Sequence, residues 1–317
     1  MNKSTVKFFC FFVFFDLFAQ ELPPLQNYTP ELYNAGSQNW NISQNESGII
    51  YVANNEGLLS FDGNHWRLYP SPNKSILRSV YVHNNIIYSG AYMDFGYWKP
   101  TADGNLEYFS IVQNLEFNML EEEQIWKINH YKQFIIFQSL NRLIIYNQIT
   151  NSLNTLKPQN DVIIKSYFVD DDVYIQTYDF SIYKVSSDKL LKFVSGSQLN
   201  NNTVVEIFSR GDDLLFLTDK DGFYLMQSNQ IRRWRINPNS IFNDSLVYSA
   251  TNIRNEYFVI GTVTNGLIIL DKKGDVVFSL KKGSGLNNNT VLSTFVDLNQ
   301  NLWVGLDNGV AMVNLNS

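Results

Sequence analysis

The sequence predicts an all-β fold, a seven-bladed β-propeller of four-stranded antiparallel blades, with the ring closed by an N-terminal strand. Three observations predict it. An equivalent loop position recurs at Gly57, Gly96, Arg142, Ser181, Gly222, Gly266 and Gly309, at intervals between 39 and 46 residues. Short strands repeating at about that period are the mark of propeller blades. The composition points the same way: 44% of the 317 residues are hydrophobic and only 17% charged, with 18 Tyr and 23 Phe, a balance that favours strands and turns. Helical periodicity is nearly absent along the chain.

In chain order, Lys3 and Lys7 precede the apolar run 8–15, and the small residue Ala19 follows it. This is the pattern of a secretory signal peptide over residues 1–20, and the run is well short of the ~20 residues that cross a bilayer. No later window is apolar for long enough to span, so the sequence predicts a periplasmic or secreted chain. Residues 22–30 occupy the place of a missing fourth strand in the last repeat and are expected to close the ring there, removing unpaired sheet edges. The repeats fall near 37–73, 74–113, 121–158, 161–198, 200–240, 243–285 and 287–317. Within them, 48–53 and 213–217 are continuous apolar runs, as expected of strands buried on both faces. Residues 65–69 and 230–235 alternate, as outer strands should. Asp62-Gly63-Asn64, Asp103-Gly104-Asn105 and Lys273-Gly274-Asp275 punctuate the repeats as turns. The recurring Gly is expected to supply a positive φ, a pattern that Arg142 and Ser181 break. The acidic runs 121–123 and 170–172 are expected to be solvated turns, and Trp126 and Trp303 to be structural residues of strands.

Several function classes are excluded. A formal net charge of −6 argues against nucleic-acid binding, which needs a basic face. One cysteine, Cys10, permits no intrachain disulfide and no CxxC zinc site, and three histidines, His65, His83 and His130, offer little for a metal centre. Residues 297–301 and 219–222 carry the spaced acids of a calcium loop, but Leu302 stands where that loop needs Gly, and hairpin turns are the better reading. Gly-rich phosphate loops, a serine nucleophile elbow and HExxH are missing from the sequence. No cofactor or metal is expected.

The segments 285–291, 297–305 (Asp-Leu-Asn-Gln-Asn-Leu-Trp-Val-Gly) and Asn308-Gly309-Val310 resemble the two-component regulator propeller repeat, found in periplasmic sensor regions of Bacteroidetes regulators. Residues 39–70 and 92–98 are also similar to the opening of flavobacterial LuxR-type regulators with a triple-tyrosine domain. The likeness covers 22–317, strongest in the first two and last two repeats. It implies a sensing propeller. Such regulators carry further propeller repeats, a triple-tyrosine domain, a membrane helix and an output module, none of which is expected within residues 1–317.

On a propeller, the loops entering the first strand and those joining the second to the third gather on one face. That face is expected to collect Asn55, Glu56, Tyr92, Asp94, Asp179, Asp219, Asp221, Asn265, Asp307 and Asn308. Mixed amide, carboxylate and aromatic groups suit a polar, hydroxylated ligand such as an oligosaccharide, although the same residues also make ordinary turns. Trp98 joins the set as a stacking face for a sugar ring; its other reading, a wedge between blades, is favoured. Ligand binding is expected to report by changing how the disc packs on a neighbouring domain or protomer. The sequence leaves two other readings open: a glycan-processing lyase or hydrolase with converging carboxylates, and an adhesion or scaffolding propeller with a flat apolar face.

Overall fold

The computed structural model describes residues 22–159, 161–186, 189–237, 242 and 245–315; residues 1–20, read as a signal peptide, lie outside them. Seven four-stranded antiparallel sheets follow one another around a ring. Their inner strands are Asn39–Gln44, Ser79–His83, Lys127–Tyr131, Ile163–Val169, Val204–Arg210, Val247–Ile253 and Val291–Val296, for blades 1 to 7. Second strands such as Ile50–Asn54 and Leu302–Leu306 are buried along their whole length, because a blade is sandwiched between two neighbours. Outer strands such as Ser152–Leu156 and Gln230–Trp234 are largely exposed.

Seven apolar clusters sit at the seven blade interfaces. Between blades 1 and 2, for example, Tyr51, Ala53 and Leu58 meet Val80, Ile87 and Trp98; between blades 5 and 6, Leu215, Leu217 and Phe223 meet Phe258, Ile260 and Ile268. Each fully buried Leu, Ile or Phe contributes about 1.5–3 kcal/mol, so the ring is held by side chains between blades while hydrogen bonds hold each blade together.

The ring closes as expected. The strand Leu25–Tyr28 pairs antiparallel with the last strand of the chain, from Leu25 opposite Val313 to Tyr28 opposite Val310, and supplies the fourth strand of blade 7. Tyr28 stacks on Trp303 of that blade, at 5.8 Å and 9°, and lies 5.1 Å from Phe61 of blade 1.

Three local expectations are corrected. Short helices do occur, at Pro30–Tyr33 and Ile111–Asn114; four residues are too few to leave a periodic trace in a sequence. Pro30 starts the first with φ already set and Asn34 ends it in the left-handed region, while the Ser110 side chain caps the second by accepting from the Gln113 N–H at 3.0 Å. The recurring Gly has a positive φ at Gly57, Gly222, Gly266 and Gly309, but not at Gly96. What Gly57, Gly96 and Gly266 share is close approach: a Cβ there would collide with the carbonyl of Tyr69, Phe109 or Leu280 in the outer strand. The run 121–123 is not wholly solvated. Glu123 is buried, accepting from Arg142 at 2.7 and 2.9 Å, Ser139 Oγ at 2.7 Å and the Leu120 N–H at 3.0 Å. Burial pushes its carboxyl up, and these donors, Arg142 foremost, outweigh that and leave it lowered.

Tyr28→Ala should destabilise the protein by about 3–5 kcal/mol, read as a lower urea midpoint at unchanged slope. Tyr28→Phe keeps the ring and should cost less than about 1.5 kcal/mol.

Candidate functional site

The first strands of all seven blades surround an axial cavity of about 550 Å3. At the start of each inner strand one residue lines it: Trp40, Arg78, Trp126, Ile164, Val205, Tyr248 and Leu292. The backbone explains why these side chains turn inward. In blades 1, 4, 5, 6 and 7 the inner strand slips register at this position, between Asn39 and Asn41, Ile163 and Lys165, Val204 and Glu206, Val247 and Ser249, and Val291 and Ser293. A bulge takes one residue out of the pairing and re-aims its side chain. In blades 2 and 3 the same place falls just ahead of the strand, where Arg78 and Trp126 donate their backbone N–H to the carbonyls of Gly90 and Gln138 at 3.0 and 2.8 Å.

The next residue of each inner strand faces the second strand of its own blade, and here the blades differ. Ser79, Ser249 and Ser293 lie opposite glycines, whereas Lys127, Lys165 and Glu206 stand at this position in blades 3, 4 and 5. Together with Arg78 of blade 2, these residues make blades 2 to 5 the charged side of the cavity. Lys127 donates to the Ser166 carbonyl at 2.9 Å and lies 3.9 Å from Glu206. Lys165 is pushed down to about 8 by burial and by Lys127, against the pull of Glu206. Asp219, in a loop of blade 5, also lines the cavity; burial pushes its carboxyl up, opposed by Lys220 at 4.0 Å.

The Arg78 guanidinium lies 3.9 Å over the Trp40 ring and 5.1 Å from the centre of Trp126, an arrangement stabilised by the ring quadrupoles. Three buried polar atoms of cavity-lining residues have no hydrogen-bond partner among the described residues: Arg78 Nε, Asp219 Oδ1 and Thr294 Oγ1. Buried polar atoms of this kind ordinarily meet water or a ligand.

The chain topology brings the expected loop residues Asn55, Glu56, Tyr92, Asp94, Asp179, Asp219, Asp221, Asn265, Asp307 and Asn308 to loops between second and third strands. Of these, only Asp219 lines the cavity. Asn55 accepts from the Trp40 indole at 2.7 Å and donates to Gln38 at 3.1 Å, and Gln38 donates to Asp307 at 2.6 Å, so this pair orients a cavity wall. Other members serve their own loops. Asp94 is buried and accepts from Ser110 at 2.7 Å and Tyr108 at 3.1 Å. Asp179 accepts from Thr177 Oγ1 at 2.6 Å and from the Ser181 N–H and hydroxyl at 2.9 Å. Asp221 pairs with Arg233 and accepts from Tyr224. The Asn265 N–H donates to Thr262 Oγ1 at 2.8 Å and that of Glu56 to Asn54 Oδ1 at 3.0 Å. Tyr92 and Asn308 are exposed. Trp98 is buried between blades 1 and 2 with its indole donating to Ser89 at 2.8 Å, the wedge rather than a stacking face. Asp297 forms a turn, accepting from Asn301 and from the Trp303 indole at 2.9 Å. His83 and His130 stack at 4.3 Å, at the far end of their strands from the cavity.

Trp126, expected inside a strand, is 38% exposed and lies at the cavity wall. Trp40, Arg78, Lys165 and Tyr248 did not stand out in the sequence, because they sit where first strands begin and read as blade framework. Their one signal is registration: Trp40, Arg78 and Tyr248 are large or charged side chains at one place in the repeat, and Lys165 shares the next place with Lys127 and Glu206.

Lys165 gives the site a pH signature. Its folded value of about 8 lies below its ordinary 10.5, so between these values the unfolded chain binds more protons and stability rises with pH. The contribution is fully present above about 10.5 and lost as pH falls through about 8. Lys165→Met should raise the melting temperature at pH 7 and remove this slope, measured as melting temperature against pH for both proteins.

No family model and no curated protein matches the chain. Among solved structures, it is similar to the extracellular domain of the hybrid two-component system BT4673 from B. thetaiotaomicron, at 18% identity and a TM-score of 0.74 over 93% of this chain and 40% of that one. The corresponding domain of BT3049 from the same organism gives 17%, 0.68, 93% and 42%. Virginiamycin B lyase from Staphylococcus aureus gives 12% identity and a TM-score of 0.72, over 92% of this chain and 99% of that one. The chain thus spans about 40% of the length of the two regulator domains. These likenesses establish the architecture: the chain is a seven-bladed propeller of the fold shared by extracellular domains of bacterial regulators and by lyases.

Proposed function

We propose that this propeller is the extracytoplasmic sensing region of a signal-transduction regulator, binding a polar ligand such as an oligosaccharide in its axial cavity. The observation that carries this reading is the cluster of Trp40, Trp126 and Tyr248 around Arg78 at the cavity wall. Flat aromatic faces stack on the apolar faces of sugar rings, and neighbouring charged and amide groups take the hydroxyls. Asn55 and Asp307 act through Trp40, and Asp219 offers an acceptor directly. The neighbouring extracellular regulator domains support the sensing role, and a periplasmic or secreted location follows from it. Because the disc is packed at every blade interface, the signal leaves as a change in how it seats on an adjoining domain or protomer, which requires differential affinity for two such arrangements.

A second reading, a glycan lyase, draws on one observation. Lys165 and Asp219 both face the cavity with shifted proton affinities, as acid–base groups often do, and a lyase is among the structural neighbours.

Thermal shift of the full chain with a panel of plant and microbial oligosaccharides tests the sensing reading. A binding sugar at 100 times its Kd should add about 2.7 kcal/mol of stability. Trp126→Ala should weaken that binding by about tenfold or more with little change in the ligand-free melting temperature, since Trp126 is partly exposed. Turnover of the bound sugar, abolished by Lys165→Met or Asp219→Asn, would replace sensing with catalysis.

A further inference from the structure

We propose that the axial cavity takes a ligand bearing a carboxylate, a uronate-type acidic saccharide, with Arg78 as its anion-binding residue and Lys165 as a second cation. The inference rests on the reading of the cavity as a ligand site and names the chemistry of what enters it.

Arginines in this protein that lie near carboxylates pair with them: Arg142 with Glu123 and Arg233 with Asp221. Arg78 does not. Among the described residues no carboxylate oxygen lies within 4.0 Å of its guanidinium, nor of the Lys165 ammonium. The other charges that face the cavity are matched, Glu206 with Lys127 and Asp219 with Lys220. The surplus on the wall is therefore cationic, although the whole chain carries a net charge of −6.

Geometry says which partner the surplus suits. A guanidinium carries its five donors in its own plane. The guanidinium carbon lies 3.9 Å over the Trp40 ring, which covers it from that side, and Nε is itself buried, so a ligand in the cavity meets the terminal Nη groups. An in-plane edge of parallel N–H groups is the shape that a carboxylate accepts in a bidentate pair. The hydroxyls of a neutral sugar accept from a guanidinium, but only an anion also offsets the charge of a desolvated cation, which is costly to hold without one. A doubly charged phosphate would add two negative charges to a cavity already lined by Glu206 and Asp219, whereas one carboxylate brings a single charge. Trp126 and Tyr248, 38% and 42% exposed, remain for the ring that bears the acid.

The test is calorimetric titration of the full chain at pH 7 with trigalacturonate, with the neutral trisaccharide of galactose, and with free galacturonate. Trigalacturonate should bind at least tenfold tighter than the neutral trisaccharide, and its affinity should fall with added salt. Arg78→Met, which keeps an apolar stem between the two Trp rings, should remove that preference. Arg78→Lys keeps charge without the fork and should fall between, and Lys165→Met should lose a smaller factor. Equal or tighter binding of the neutral sugar overturns the carboxylate assignment and leaves the saccharide site standing. Acid binding that Arg78→Met and Arg78→Lys both leave unchanged overturns the role of Arg78. Binding of free galacturonate alone, dependent on Arg78, keeps the anion site and removes the oligosaccharide reading. No binding by any of the three removes both.

Discussion

Seven sheets can share one axis only if their first strands come close enough to touch, and that approach is what the rest of the molecule depends on. At three places it is made by a Gly and a Ser. Ser293 lies opposite Gly305 and its hydroxyl reaches the Asn39 carbonyl of the next blade at 3.3 Å. Ser249 and Gly261 do the same toward Val291, and Ser79 and Gly90 toward Ile125. A Cβ on any of these glycines would collide with the serine beside it. Where long polar chains replace the serine, in blades 3, 4 and 5, the same position reaches into the central space. One position in the repeat thus serves packing and surface chemistry together, since Ser249 and Ser293 also line the cavity and Lys127 also reaches a carbonyl of the next blade. With Arg78 one position earlier, the blades that carry Lys or Glu there make the charge of the cavity lopsided.

The architecture was legible in the sequence because its causes are local and repeated. Buried second strands need unbroken apolar runs, the turns need Gly, Asn and Asp, and the interval between copies is fixed by the length of four short strands. The joining of residues 25–28 to the last strand could be read from what the seventh repeat lacked. The cavity wall was not legible in that way. A bulge leaves no compositional mark, so nothing in the run containing Tyr248 or Trp40 says that one residue turns out of the pairing. Buried pairs were hidden for a related reason. Glu123 sits in an acidic run that reads as solvent-facing, and its partner Arg142 is 19 residues away. Arg142 stood out only as the residue that broke the glycine pattern; its place is explained by the carboxylate it holds and by Phe117, 4.8 Å below its guanidinium.

The loop residues that sequence pattern brought forward have divided duties. Asp94, Asp179 and Asp221 stabilise the loops that carry them, which is the usual work of such residues in turns. Asp219 lines the cavity, Asn55 holds the indole of Trp40 that lines it, and Asp307 reaches Asn55 through Gln38. The loop residues therefore meet the axis only through Asp219 and through the bonds that hold Trp40. A propeller used for regulation and one used for catalysis can share every strand and differ only there.

The relay from the Trp40 indole through Asn55 and Gln38 to Asp307 crosses from blade 1 to blade 7. Backbone passes from blade 7 into blade 1, because the closing strand Leu25–Tyr28 leads on to Asn39–Gln44. The non-covalent closure lies inside blade 7, where that strand pairs with Val310–Val313, and the bond from Gln38 to Asp307 ties the N-terminal segment to the last blade a second time. A wall of the central chamber and the clasp of the necklace are consequently one mechanical unit, and whatever steadies the indole also resists the parting of the two ends.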